Sequence, residues 1–163
     1  MPVAVDIPLE DLLGWRLSVA GRLMRSRADQ VLAGVAPTTA QGIGVLMRLA
    51  ERDGTTQTDL ARLQRVEPPS MCRMVDRLER DGLVERRPRP GDRRAVAVHL
   101  TDAGRDAAAA GAATAAAIDD AVFRGLSPDE RRTLAALLGR VLTELADPAD
   151  PAEPADPAAG GDA

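Results

Sequence analysis

Lysine is missing from this chain of 163 residues, and all 21 basic side chains are arginine. Tyrosine is missing as well, which leaves Trp15 and Phe123 as the aromatics. A single cysteine, Cys72, excludes an intrachain disulfide and fits a cytoplasmic location. No run approaches the roughly 18 apolar residues that a membrane span requires, so no membrane partner is expected. The start, Met1 to Asp6, lacks a basic segment followed by an apolar one and does not read as a secretory leader. A Walker loop, a Gly-x-Ser-x-Gly elbow, a zinc motif and a dinucleotide fingerprint are absent too, and the acids form no interpretable catalytic constellation. The expectation is a protein that is not an enzyme and carries no cofactor or metal. Arginine in place of lysine also follows from a GC-rich genome and has little functional weight.

What is present is 45% hydrophobic and 28% charged, ordinary for a globular chain with a real core. The formal net charge of −4 argues against a polyanionic partner only until its distribution is read. From Asp147 onward there are five acids and no base, whereas Arg62 to Arg94 holds ten arginines against six acids. That local excess is the footprint expected of a nucleic-acid-binding surface. The segment 147–163 repeats proline with acids, which forbids a helix, and is expected to be a disordered tail.

Apolar spacing predicts a first helix from Leu9 to Val31, closed by Gly34 and Pro37. A second begins at Thr38, with Thr38 and Gln41 at capping-box spacing. A third, short helix covers Thr56 to Arg65, with Leu60, Ala61 and Leu63 expected inside. After Glu67, Pro68 and Pro69 open a fourth helix that runs to Asp81 and is capped by Gly82. The period then changes to that of strands over Leu83–Arg87 and Ala95–Leu100, with Val96, Val98 and Leu100 on one face. Thr101 opens an alanine-rich helix to about Gly125. Ser127, Pro128 and Glu130 mark the strongest helix start in the chain. Leu134, Leu137, Leu138, Val141, Leu142 and Leu145 form the stripe that follows. Three long amphipathic helices exceed what one small domain needs to cover itself, so the terminal helices are expected to pack on a second copy.

The fourth helix carries the candidate chemistry. At about 100° per residue, Met71, Met74, Val75 and Leu78 share one side, and Ser70, Arg73, Arg77 and Arg80 share the other, with Asp76 near the boundary. Packed by its apolar side, this helix would offer arginines to a major groove. A solvated charged face is the commoner fate of helical arginine, but a short helix before and a wing after favour DNA. In the wing, Arg89, Arg93 and Arg94 surround Pro90, Gly91 and Asp92. An arginine there can enter a narrow minor groove, with Asp92 holding Arg94 in one orientation. A surface hairpin with an incidental ion pair is the plainer alternative.

The runs Thr58–Ala61, Ser70–Arg86, Gly91–Ala95 and Val98–Arg105 together resemble the multiple antibiotic resistance regulator (MarR) family. The resemblance covers about residues 9–146. It implies a mostly α fold: a winged helix-turn-helix domain at 37–100 with a two-stranded β-wing, and a helical dimerisation domain from the N- and C-terminal helices at 9–34 and 101–146. It also implies a homodimer that binds double-stranded DNA at a pseudo-palindromic operator, usually as a repressor released by a small anionic or aromatic effector. By position, Ser70 and Arg73 fall on the recognition helix, and Asp92 and Arg94 on the wing pair. DNA contacts are therefore expected from Ser70, Arg73, Arg77, Arg80, Asp92, Arg93 and Arg94. Trp15 and Arg16 lie where effector pockets form in such proteins, though Trp15 equally suits a dimer interface. Cys72, at the edge of the buried arc, reads as a small core residue; a redox role beside Arg73 is the alternative. His99 reads as a structural or surface residue, not a ligand or a metal site. A winged domain used for protein–protein contact is the remaining alternative.

Overall fold

The computed structural model describes residues 7–34, 37–89 and 92–145, without the side chains of 89 and 92–95. Two compact units divide at Asp119 and Asp120. In the first, a 3-10 turn at Leu9–Asp11 precedes α1 (Leu13–Leu32), then come α2 (Ala40–Glu51), β1 (Thr55–Thr56), α3 (Gln57–Gln64), α4 (Pro68–Arg80), β2 (Val84–Arg89), β3 (Asp92–Leu100) and most of α5 (Asp102–Val122). The second contains the end of α5 and α6 (Pro128–Glu144). Among the described residues, no helix is long and apolar enough to cross a membrane.

The core gathers Ile43, Val45, Leu46 and Leu49 of α2, Leu60 of α3, Met71, Val75 and Leu78 of α4, and Val98 and Leu100 of β3. Each large apolar side chain fully buried there contributes roughly 1.5–3 kcal/mol relative to exposure. Gly111 lets α5 approach α2 closely: a Cβ at that position would lie 2.5 Å from Ile43 Cγ2.

The helix starts follow local hydrogen bonding, with one revision. Thr56 Oγ1 accepts the Asp59 amide at the start of α3, and Ser127 and Glu130 form a full capping box on α6. At α2 the cap is Thr39, which accepts from the Gly42 amide, and not the expected Thr38. The Ala40 amide is taken by Asp29 Oδ1 of α1 at 2.7 Å, a bond from eleven residues away that fixes where α2 begins. The first helix also departs from the expected continuous Leu9–Val31, because Leu12 is extended (φ −74°, ψ 120°) and separates the 3-10 turn from α1.

The expected pair of strands is present as β2 and β3, and a third joins it in the antiparallel order β1-β3-β2. The third, β1, is two residues long and pairs Thr55 with Val98, too short to show a period in sequence. Pro88 is tolerated because β2 is an edge strand, where a missing N–H breaks no ladder on its open side. The register shifts between Pro88 and Arg89, so Asp92 lies opposite Arg89 and the strands extend past the core. Val96 is consequently exposed, against expectation, while Ala97 is buried. Leu63 of α3 is exposed as well, at the end of a helix that buries only Leu60 and Ala61.

Candidate nucleic-acid interface

Helix α4 turns its apolar side fully inward: Met71, Val75 and Leu78 are each 0% exposed. Rotation about the helix then puts Arg73, Arg77 and Arg80 outside, and all three are exposed, with Ser70 half-buried at the first turn. Arg73 Nη2 donates to Ser70 Oγ at 3.1 Å, which holds two of the candidate contact residues together. Arg77 leans toward Asp81 at 3.7 Å, one turn on. The side chains of Asp92, Arg93 and Arg94 lie outside the described residues, as does the acidic segment 147–163.

Cys72 is exposed, not a core residue. It lies one residue past Met71, about 100° around the helix, which carries it off the narrow buried arc. Its Sγ is 4.0 Å from Asp76 Oδ2.

The joints that hold α4 and the wing are the residues that pattern reading missed. Arg86 of β2 reaches back across the turn, donating from Nη1 to Glu79 and from Nη2 to Asp76, while its own amide donates to Glu79 Oε1 at 3.1 Å. Partial burial works against the charge on the Arg86 guanidinium, but the hydrogen bonds and charges of Asp76 and Glu79 together outweigh it and push its pKa above the ordinary value. At the far end of β3, His99 Nδ1–H donates to Asp53 Oδ2 at 2.9 Å, and the Leu100 amide donates to Asp53 Oδ1 at 2.9 Å. Gly54, at φ +73°, gives His99 room: a Cβ would lie 2.9 Å from its Cε1. Neither joint has regular spacing in sequence, since Arg86 lies seven residues from Glu79 across a turn and His99 lies 46 from Asp53.

Burial pushes the Asp53 carboxyl up, but the His99 and Leu100 hydrogen bonds outweigh it and hold the group below its ordinary 3.8. A depressed folded value means stability that is complete above pH 3.8 and lost as pH falls through the lower, folded value. Asp53→Asn is therefore expected to lower the melting temperature at neutral pH, with the gap to wild type narrowing in acid. Parallel melting curves at all pH values would show that Asp53 does not act as a carboxylate.

On the other side of α2, a cavity of about 340 Å³ opens between α1, α2 and α5, lined by Met24, Ala28, Leu32, Ile43 and Met47 with Arg25 and Asp119. Trp15 and Arg16 do not line it. Trp15 is half-exposed, and Arg16 is engaged by the Glu10 carbonyl and by Asp11 at 3.5 Å.

The MarR family model matches residues 39–96, from the cap of α2 to the middle of β3. A putative transcriptional regulatory protein for the hcr operon of Thauera aromatica is 34% identical over 116 residues, 64% of this chain and 66% of that one, so the chain matches just under two thirds of that relative's length. A probable transcriptional regulator of Pseudomonas aeruginosa is 30% identical in its crystal structure, with 82% of this chain and 99% of that one covered and a TM-score of 0.75. The chain belongs to the MarR family. A transcriptional repressor, CouR, is also similar. Bound to a 23-mer DNA duplex, CouR is 29% identical over 85% of this chain and 99% of its own, at TM-score 0.76. CouR is also solved with p-coumaroyl-CoA, at 27% identity, 88% and 99% coverage and TM-score 0.76.

As a MarR-family chain, the protein uses much of the matching run for joints. Leu78 is core, Glu79 anchors Arg86, and Gly82 turns the chain out of α4 at φ +72°. Thr101 Oγ1 donates to the Gly82 carbonyl at 2.7 Å and accepts the Gly104 amide at 3.0 Å, tying the start of α5 to the turn before the wing.

Proposed function

We propose that this MarR-family chain is a cytoplasmic, ligand-responsive repressor, a DNA-binding protein rather than an enzyme, which grips a pseudo-palindromic operator as a homodimer. The observation that carries this is the outward arginine face of α4, held by the buried Met71, Val75 and Leu78 opposite it and set beside a β-wing. In this reading Ser70, Arg73, Arg77 and Arg80 enter a major groove, where arginine can bond guanine bidentately. Asp92, Arg93 and Arg94 serve the adjacent minor groove. CouR, bound to DNA in one structure and to p-coumaroyl-CoA in another, supports both the DNA partner and a small effector. The cavity between α1, α2 and α5 suits a small aromatic effector better than Trp15 and Arg16 do, because its walls are largely apolar, with Arg25 and Asp119 as the charged groups among them. Residues 37–100 form the DNA-binding part, and 9–34 with 101–146 the dimerisation part. The apolar residues exposed along α1 and α6 support that division.

The test is selection of genomic fragments by the purified protein, followed by footprinting. A two-fold-symmetric protected site is expected, with half-sites about one helical turn apart. Arg73→Ala should then cost about 1–3 kcal/mol of operator affinity and relax the base preference at one position per half-site. Equal loss on every sequence would assign Arg73 to a phosphate. A folded protein that enriches no fragment would point to a winged domain serving a protein partner.

A further inference from the structure

Asp76 stands on the wrong face of α4. It is three residues from Arg73 and four from Arg80, so it shares their side of the helix, and its side chain is 51% exposed. A carboxylate there, at the edge of the arginine face and beside Arg73 and Arg80, opposes a polyanion approaching that surface. The structure answers this with Arg86. Its guanidinium, only 23% exposed, lies against both Asp76 and Glu79. Glu79 takes two bonds from Arg86, one from the amide and one from the side chain, so Glu79 sets the position of Arg86. Its Nη2 is thereby aimed at Asp76. Besides joining α4 to β2, the arrangement changes the surface, because the Asp76 side chain that it holds is half-exposed.

We propose that Arg86 is a positioning residue for DNA recognition that acts through Asp76: anchored by Glu79, it cancels the Asp76 charge and draws that side chain toward β2, clear of the groove-facing arginines. The proposal rests on the DNA-binding reading above and assigns Arg86 no contact with DNA.

Affinity and its salt dependence are measured on a duplex recovered by selection and on a short duplex of unrelated sequence. Arg86→Gln is expected to weaken binding to both about tenfold, since an uncovered carboxylate repels any phosphate backbone. Adding Asp76→Asn to that variant should restore most of the loss. Asp76→Asn alone, which keeps Arg86 and needs no refolding of the joint, should tighten binding a few-fold and steepen the salt slope by about one. Loss in Arg86→Gln without rescue by Asp76→Asn would make Arg86 a purely structural residue and overturn the proposal. So would unchanged affinity and salt slope in Asp76→Asn. Wild-type protein that binds neither duplex at low salt would remove the DNA-binding reading itself, whereas tight wild-type binding with inert variants would remove this inference alone.

Discussion

Gly104→Ala should lower the melting temperature by several degrees, although alanine is the better helix former. On helix propensity alone the change favours folding by about 1 kcal/mol, so the sign of the result separates the two effects. A Cβ at Gly104 would lie 1.9 Å from the Leu83 carbonyl oxygen, 2.9 Å from its carbon and 3.1 Å from Leu100 Cδ2. Neither side of that clash yields easily. The Leu83 oxygen accepts the Thr101 amide at 3.2 Å, and Thr101 binds both Gly82 and Gly104 through its hydroxyl. Separating α5 from the turn would break those bonds and lift Leu83 and Leu100 out of the core. Overpacking of this kind costs typically 1–3 kcal/mol and sometimes more, against a total stability of about 5–15 kcal/mol. Gly139→Ala is the matched control, since a Cβ there meets nothing within 4 Å and the propensity gain should appear unopposed. Melting curves at one protein concentration decide the matter; a Gly104→Ala protein as stable as Gly139→Ala would show that α5 is free to move away from the wing.

The features legible in sequence were those governed by neighbours along the chain. Helix α4 declared itself by a two-sided pattern sharp enough to separate Met71, Val75 and Leu78 from the arginines. Ser127, Pro128 and Glu130 announced α6 because a capping box closes within one turn. What stayed hidden was set by distant partners. Two adjacent threonines compete to cap α2, and Asp29 of α1 decides between them. Asp53 and His99, or Glu79 and Arg86, meet only after the sheet has formed. Cys72 was misplaced because a helix with three deep residues buries a narrow arc, and a small apolar residue 100° from its centre falls outside. Val96 alternates correctly with Val98 and Leu100, yet β3 outruns the core beneath it, so alternation no longer implies burial there.

Replacing Leu137 and Leu142 together with glutamate should convert the protein to monomers and cut operator affinity at least about a hundredfold. On α6, Leu137, Val141 and Leu142 are 50%, 42% and 45% exposed, Leu145 just past its end is 73% exposed, and α6 buries no residue fully. Helix α1 is similar, burying only Leu32 and leaving Leu13 81% exposed. A monomeric protein rarely exposes apolar stripes on this scale, and they mark surfaces that a partner covers. A second copy is the economical partner, because isologous pairing would cover the same stripes on both chains at once. It would also set two α4 helices apart at a fixed distance, which turns the second half-site contact into an intramolecular event worth about 10²–10⁴ in affinity. Glutamates at exposed positions cost the single chain little, so the loss would fall on assembly and leave the winged fold intact. Sedimentation should give the mass of one 17.2 kDa chain for the variant and twice that for wild type, with circular dichroism unchanged. A variant that remains dimeric, or a monomer that still holds the palindrome tightly, would place the subunit contact elsewhere and leave the stripes of α1 and α6 to another partner.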